Sequence, residues 1–463
     1  MAEDISNDLA CYGTAGLQTP NLDMLAAEGM RYTNAFSTNP ICSPNRSAMM
    51  VGVHQNKTNT HQHRSNRSIP LAEPYYPITY WLRQAGYTCV LGHEDVRGRG
   101  RKVDVNFRHD KLGPYNGTNQ FGLFDKYDEI SAANQPFFSQ IQLNVTHRGD
   151  WWEEISLQSA DPVDTATVQL PPYLADHPII KEDWARYLDQ VEYMDYEVGL
   201  ILDDLEAKGL VDNTIIIFIG DNGRCNLRGK GYLHDSGLRI PLIVWGKDIP
   251  AGVVEDALVD VTDISASVLS LAQATMPNYL TGQPFINTQH QQKEYIFAAR
   301  DLWDEVMEKS RAIIGKRYKY IRHGYPAIPF DAGQAYLEFY RPALHVMREL
   351  QKEGKLTHEQ AFFLSPNKPE EELYDLQEDP HELVNLASSE AHQSTLTHLR
   401  SELAKVEMDM QGDGPIELQW PGAVDVLAWT MQNRPALYQQ MLRGKEIGFS
   451  KMAKAYQEAR QDN

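Results

Sequence analysis

Thr214-Ile215-Ile216-Ile217-Phe218-Ile219-Gly220-Asp221-Asn222-Gly223 is the stretch on which the fold turns. From Thr214 to Ile219 it is β-branched or aromatic throughout, with no polar alternation. A half-buried strand would alternate, so the run predicts a strand buried on both faces, as in a parallel sheet. Ile240 to Trp245 predicts another such strand. Ligands of an open α/β sheet lie beyond the carboxyl ends of its strands, and Asp221 and Asn222 fall there.

Working outward, Trp184, Tyr187, Leu188, Val191, Met194, Ile201, Leu202 and Leu205 keep helical spacing, and Gly209 can end that helix. Thr19-Pro20 reads as the start of a helix ending at Gly29, followed by a strand over Met30 to Phe36. A helix over Ile78 to Ala85, a strand over Tyr87 to Leu91, a basic loop over 92–107 and a strand over Pro136 to Val145 come next. Val261 to Ala272 reads as a helix capped near Thr262 or Asp263. The alternation predicts an α/β fold, a mostly parallel central sheet sandwiched by helices. Past residue 308 short strands (Arg311–Ile314, Tyr318–Arg322, Leu373–Leu376) are separated by long helical insertions. The division expected is a large domain over 1–308 and a smaller α+β subdomain over 309–463.

The 463 residues carry 43 Lys+Arg against 63 Asp+Glu, a net charge of −20. That argues against nucleic acid as a partner, since phosphate binding needs a basic footprint. It leaves open a small anion held by the local field of a cleft. No apolar run reaches the length of a membrane span. The four cysteines, Cys11, Cys42, Cys89 and Cys225, suggest no disulfide framework.

Cys42-Ser43-Pro44-Asn45-Arg46 stands apart. Pro44 suits a first helical turn and Gly52 a helix end, which puts Cys42 just outside a helix N-terminus. Backbone donors and the dipole favour an anion there. Read alone, Cys42 is a buried thiol beside a cap and Asp221-Asn222-Gly223 a turn. Glu3 and Asp4 would join Asp221 and Asn222 beyond the sheet if an apolar strand leads into them. All four offer oxygen, which selects Ca²⁺, or Mg²⁺, over Zn²⁺.

The Cys-x-Pro-x-Arg string resembles the signature of the type-I, formylglycine-dependent sulfatases, which share the alkaline-phosphatase-like fold. Thr19-Pro20-Asn21-Leu22-Asp23, Arg31-Tyr32-Thr33-Asn34-Ala35-Phe36, Asp221-Asn222-Gly223, Arg228-Gly229-Lys230-Gly231 and Glu372-Leu373-Tyr374-Asp375-Leu376 resemble that family's blocks, in its order. The resemblance implies that Cys42 is oxidised to formylglycine by a formylglycine-generating enzyme, and that the aldehyde hydrate is the nucleophile. It implies a hydrolase of sulfate esters, or N-sulfates, of a sulfated carbohydrate. Arg46 and Lys230 would hold the sulfate, His147 would serve the leaving oxygen, and Glu3, Asp4, Asp221 and Asn222 would hold the cation. Glu3 stands where the family usually has Asp.

One block departs from the pattern. Many sulfatases carry Gly-Lys-Trp-His where this chain has Gly92-His93-Glu94-Asp95-Val96-Arg97, so His93 or Arg97 would have to substitute. Thr60-His61-Gln62-His63-Arg64-Ser65 resembles a block of heparan N-sulfatase-type members, which makes His61, His63 and Arg64 expected substrate contacts together with Arg97; His61 or His63 as the missing base is the other reading. A phosphodiesterase or phosphonate hydrolase of the same superfold and a non-catalytic carbohydrate-binding homologue are the alternatives. Met1-Ala2-Glu3-Asp4 begins where the family has already completed a buried strand, and no signal peptide is present. The expectation is that a leader and the start of that strand lie outside this sequence, with export to the periplasm or medium; a true initiator Met is the other reading.

Overall fold

The apolar run forms a strand over Ile215–Ile219 whose faces alternate strictly. Ile215, Ile217 and Ile219 join one hydrophobic cluster, Ile216 and Phe218 another. Each residue of this kind, once fully buried, contributes roughly 1.5–3 kcal/mol. The computed structural model describes residues 1–286, 292–410 and 422–461.

In chain order the strands of the large sheet are β1 (Met30–Tyr32), β2 (Thr88–Leu91), β3 (Lys126–Tyr127), β4 (Phe137–Gln140), β5 (Ile215–Ile219), β6 (Leu242–Gly246) and β7 (Val253–Glu255). One half is ordered β7-β1-β6-β5 and the other β3-β2-β4. The chain start joins them: Ala2 bridges Gly220 and Leu143, parallel to both. Of these strands only β6 runs against the rest, pairing antiparallel with β5 and β1. Ile240 to Trp245 therefore gives a correctly placed strand of the opposite direction. Its apolar run is common to both directions, because burial on two faces and not polarity sets the composition.

Helices α1 (Pro20–Glu28) and α3 (Pro178–Ala207) cover one face of the sheet. Helices α2 (Cys42–Val51) and α4 (Val261–Leu271) lie toward the other. The cap of α4 is Asp260, two residues before Thr262, in a reciprocal box with Asp263. The strand expected over Pro136 to Val145 keeps regular pairing only to Gln140. Ile215 to Ile217 are only partly buried and line an apolar cleft of about 690 Å³ together with residues of β4.

The smaller sheet is antiparallel: β8 (Ile296–Arg300), β9 (Ser310–Ile314), β10 (Tyr318–His323) and β11 (Glu371–Asp375). Its first strand comes from before residue 308. Leu396, Leu399 and Leu403 of a covering helix pack on one face. The other face meets Phe36, Leu233 and Leu238 of the large domain. No helix among the described residues is long and apolar enough to cross a membrane.

Candidate active site

Five segments converge at the carboxyl end of the large sheet. Glu3 and Asp4 follow the Ala2 bridge, and Asp221 and Asn222 follow β5. Cys42 opens α2 as its first residue, where the sequence placed it one step outside. The Cys42 sulfur is 3.7 Å from Asp4 Oδ1, and donor atoms of Asp4, Cys42 and Asp221 all lie within 4.8 Å of one another. Asp4 adopts φ 46°, a left-handed conformation that Asp tolerates better than most residues. Such backbone strain gathers at functional sites.

The charges interlock. Arg46 donates from Nε to Asp221 Oδ2 at 3.0 Å and from Nη1 to Gln142 Oε1 at 2.6 Å, with Nη2 3.3 Å from Glu3 Oε1. Lys230 Nζ donates to both oxygens of Asp4, at 2.8 and 2.9 Å. Lys102 Nζ lies 2.9 Å from Glu3 Oε2. Three buried carboxylates thus face three cations. Burial opposes ionisation of Asp4 and Glu3, yet Lys230 and Lys102 hold both carboxyls below the usual carboxylate range. Burial, with the nearby Asp4 and Glu3 charges, raises Asp221, against the pull of Arg46.

Cys42 is different. Burial pushes its thiol up to about 12, with Lys230 pulling down and Asp221 and Asp4 pushing further up. The unmodified side chain is therefore a poor nucleophile in this setting.

His147 is fixed as one tautomer. Its Nδ1–H donates to the Arg148 carbonyl at 2.8 Å, which leaves the lone pair on Nε2. Burial, then the Lys230 charge, lowers it to about 4, so the ring is neutral at pH 7. Trp152, just downstream, is core: it is 1% exposed and donates to the His147 carbonyl.

His63 sits beside the helix start. Arg64 N donates to Ser43 Oγ, which also pairs with His63 Nδ1 at 2.9 Å, and His63 Nε2 lies 3.4 Å from Asp304 Oδ1. His61 is buried in the field of Asp301 and Arg311, with no hydrogen bond or ion pair to the cluster. Arg64 senses the charges of Asp104, Asp304 and Glu3 and lines a cleft at the mouth of the site.

Two expected residues are elsewhere. His93 accepts from Asp95 N at Nδ1 and donates from Nε2 to Asp204 of α3 at 3.1 Å. Arg97 stacks over Trp151 at 5.6 Å and stays near Glu154. The loop after β2 winds past both and delivers Lys102 instead. The sequence marked Lys102 as part of a basic loop, but nothing in its spacing said which cation would turn inward. Gln142 and Tyr336 were also missed. The Tyr336 ring lies 5.4 Å from Lys230 Nζ and 5.9 Å from the His147 ring, brought there from the smaller subdomain.

The Lys230 loop is shaped by its neighbours. A Cβ on Gly229 would lie 2.1 Å from the Arg224 carbonyl oxygen, and one on Gly231, at φ 96°, 2.1 Å from the Trp303 ring. The glycines thus serve the packing of the loop, which in turn aims the lysine. Arg228 donates to the backbone of His381 and Glu382. His234 and His323 each meet one oxygen of buried Glu372, and Tyr374 Oη donates to it. The smaller sheet therefore clamps the loop. Glu372→Ala, which leaves those three partners unmatched, should lower stability by roughly 3–5 kcal/mol. A urea midpoint within the error of the parent would contradict this.

The oxygen set suits a hard cation. Glu3 Oε1 and Asn222 Oδ1 are buried and have no hydrogen-bond partner, and they accompany the Asp4 and Asp221 carboxylates. All four cysteines are unpaired, in keeping with the absence of a disulfide framework.

Comparison with known proteins gives the same answer. The sulfatase family profile matches residues 1–274. An ulvan-active sulfatase of Formosa agariphila is 30% identical over 451 residues, covering 87% of this chain and 73% of the relative. Human N-sulphoglucosamine sulphohydrolase is 25% identical, covering 88% of each. A solved structure in complex with its substrate, D-glucosamine-2-N,6-O-disulfate, superposes with a TM-score of 0.61 over 90% of this chain and 98% of that one, at 15% identity. With the cysteine motif, the buried charge cluster and the alkaline-phosphatase-like sheet in place, the chain belongs to the sulfatase family and is a sulfuric ester hydrolase.

Proposed function

We propose that this protein hydrolyses sulfate esters, or N-sulfates, of a sulfated carbohydrate, with formylglycine made from Cys42 as the nucleophile. The observation that carries the reading is the position of Cys42: first residue of α2, 3.7 Å from Asp4, among Arg46, Lys102 and Lys230. A high-pKa thiol there lacks the nucleophilic form, whereas an aldehyde hydrate supplies two hydroxyls. The relatives named above act, by their names, on sulfated sugars, which supports the substrate class.

Asp4, Asp221, Asn222 and Glu3 would hold the cation, Ca²⁺ by their chemistry with Mg²⁺ as the substitute. When bound, it supplies Lewis-acid polarisation of the sulfuryl oxygens. The chain's own residues do the rest. One hydroxyl of the hydrate attacks sulfur. Lys230 and Arg46 present donors to the charge that develops on the sulfuryl oxygens. His147 collects a proton at Nε2 and delivers it to the leaving oxygen. The approach of an anionic sulfate favours that protonated ring. The second hydroxyl then gives its proton to solvent, the C–O bond to sulfate breaks to release sulfate and restore the aldehyde, and water adds back to form the hydrate.

Sulfate and phosphate release from matched sugar esters tests this directly. Sulfate release should exceed phosphate release by at least about 10³-fold in kcat/KM. Preference for phosphate mono- or diesters would favour the phosphonate hydrolase alternative. Binding of sulfated sugar without turnover by converted protein would favour the carbohydrate-binding one.

A further inference from the structure

A polar cleft of about 780 Å³ opens beside the active site. Two of its lining residues also touch the catalytic cluster: Lys102 through Glu3, and Gln142 through Arg46. The cleft therefore begins one side chain away from the position of the scissile sulfate. It is strongly cationic. Arg64, Arg67, Arg101, Lys102 and Lys111 line it against a single carboxylate, Asp104. Arg101 is committed to Asp128 and stacks on Tyr127. Asp104 is shared between Arg67 and Lys102. Within the lining five cations thus face one carboxylate, with Asp128 and Glu3 contributing from outside it. Arg67 Nε is buried without a hydrogen-bond partner, and no carboxylate among the described residues pairs with exposed Lys111. His109 closes the same wall, with Nδ1 donating to the Phe107 carbonyl.

We propose that this cleft is a second anion subsite, which binds a carboxylate or second sulfate carried by the sugar unit next to the one being desulfated. The inference rests on the sulfatase reading and deepens it. A guanidinium fork matches the oxygens of either oxyanion, and a lysine at the rim adds charge without fixing geometry. The field concentrates in a groove even though the chain as a whole is acidic. Arg64 and Arg67, from the stretch after α2, thus meet Arg101, Lys102 and Lys111, from the stretch after β2, in one place, without Arg97.

The test uses converted protein and three substrates with the same sulfated unit and different neighbours: a neutral sugar, a uronate and a second sulfated sugar. A charged neighbour should raise kcat/KM by about 10- to 100-fold over the neutral one, mainly through KM. The comparison of uronate with sulfate tells which oxyanion the cleft prefers. Arg67→Gln with Lys111→Ala should reduce that ratio by about tenfold and flatten its salt dependence. Lys316→Ala, which removes an exposed cation outside the cleft, should leave the ratio alone. Lys111→Ala by itself changes only a surface side chain, so it decides the matter if the Arg67 variant fails to fold. A ratio near one in the parent, or a ratio the cleft variants do not move, overturns the subsite while sulfate release still upholds the enzyme. Sulfate release from none of the three overturns the enzyme reading itself.

Discussion

Cys42→Ala lowers sulfate release by about 10⁴-fold or more. The side chain lost is the proposed source of both hydroxyls, and no neighbour replaces it. Asp4 is bound by Lys230 on both oxygens, Asp221 by Arg46, and neither is positioned by hydrogen bonding to act as an alternative nucleophile. The truncation removes one buried sulfur, so the fold and the far-ultraviolet circular dichroism should be unchanged. Cys42→Ser gives a sharper result. A serine has one hydroxyl and can attack sulfur, but it lacks the second whose deprotonation would expel sulfate. It should therefore accumulate an enzyme-bound sulfate ester, seen by mass spectrometry, and stall after at most one turnover. Steady turnover by the Ser variant would mean that release does not depend on a hydrate.

Removal of the divalent cation is the second large effect. Chelation should lower kcat/KM by about 10³-fold, the equivalent of about 4 kcal/mol of transition-state stabilisation. Ca²⁺ should restore it, and Mg²⁺ less fully, because Asp4, Asp221, Asn222 and Glu3 offer oxygens without the strict octahedral frame that Mg²⁺ demands. The binding is also readable without activity. At a hundred times its Kd, a cation that binds only the folded state stabilises it by about 2.7 kcal/mol, so Ca²⁺ should raise Tm. Asp221→Asn should abolish that shift. Anomalous scattering from two Zn²⁺ ions at the cluster would contradict the single hard-cation site.

The fold was legible where composition determines burial. The apolar run ending at Ile219 fixed the centre of the sheet and placed Asp221 and Asn222 at its end, because a strand buried on both faces admits few polar residues. Strand direction was not legible. β6 is as apolar as β5, against which it runs antiparallel, so composition carries no sign of its direction. In the site, Cys42, Arg46, Lys230, Asp4 and Asp221 were found because motif or strand end ties each to a local backbone feature. Lys102 was not, since it arrives on a long loop, nor Tyr336, which comes from the other subdomain, nor Gln142, two residues past β4, where no motif marks a glutamine. His93 was misplaced for the same reason: its pairing with Asp204 on α3 depends on tertiary packing that no short window encodes. The cap of α4, Asp260, lies two residues before Thr262, because Asp260 and Asp263 cap reciprocally and the sequence does not rank them.

The most direct measurement is sulfate turnover plotted against the fraction of residue 42 carrying an aldehyde, that fraction read by peptide mass spectrometry across preparations coexpressed with graded amounts of a formylglycine-generating enzyme. The account predicts a straight line through the origin. Full turnover in preparations that contain only the thiol would contradict it.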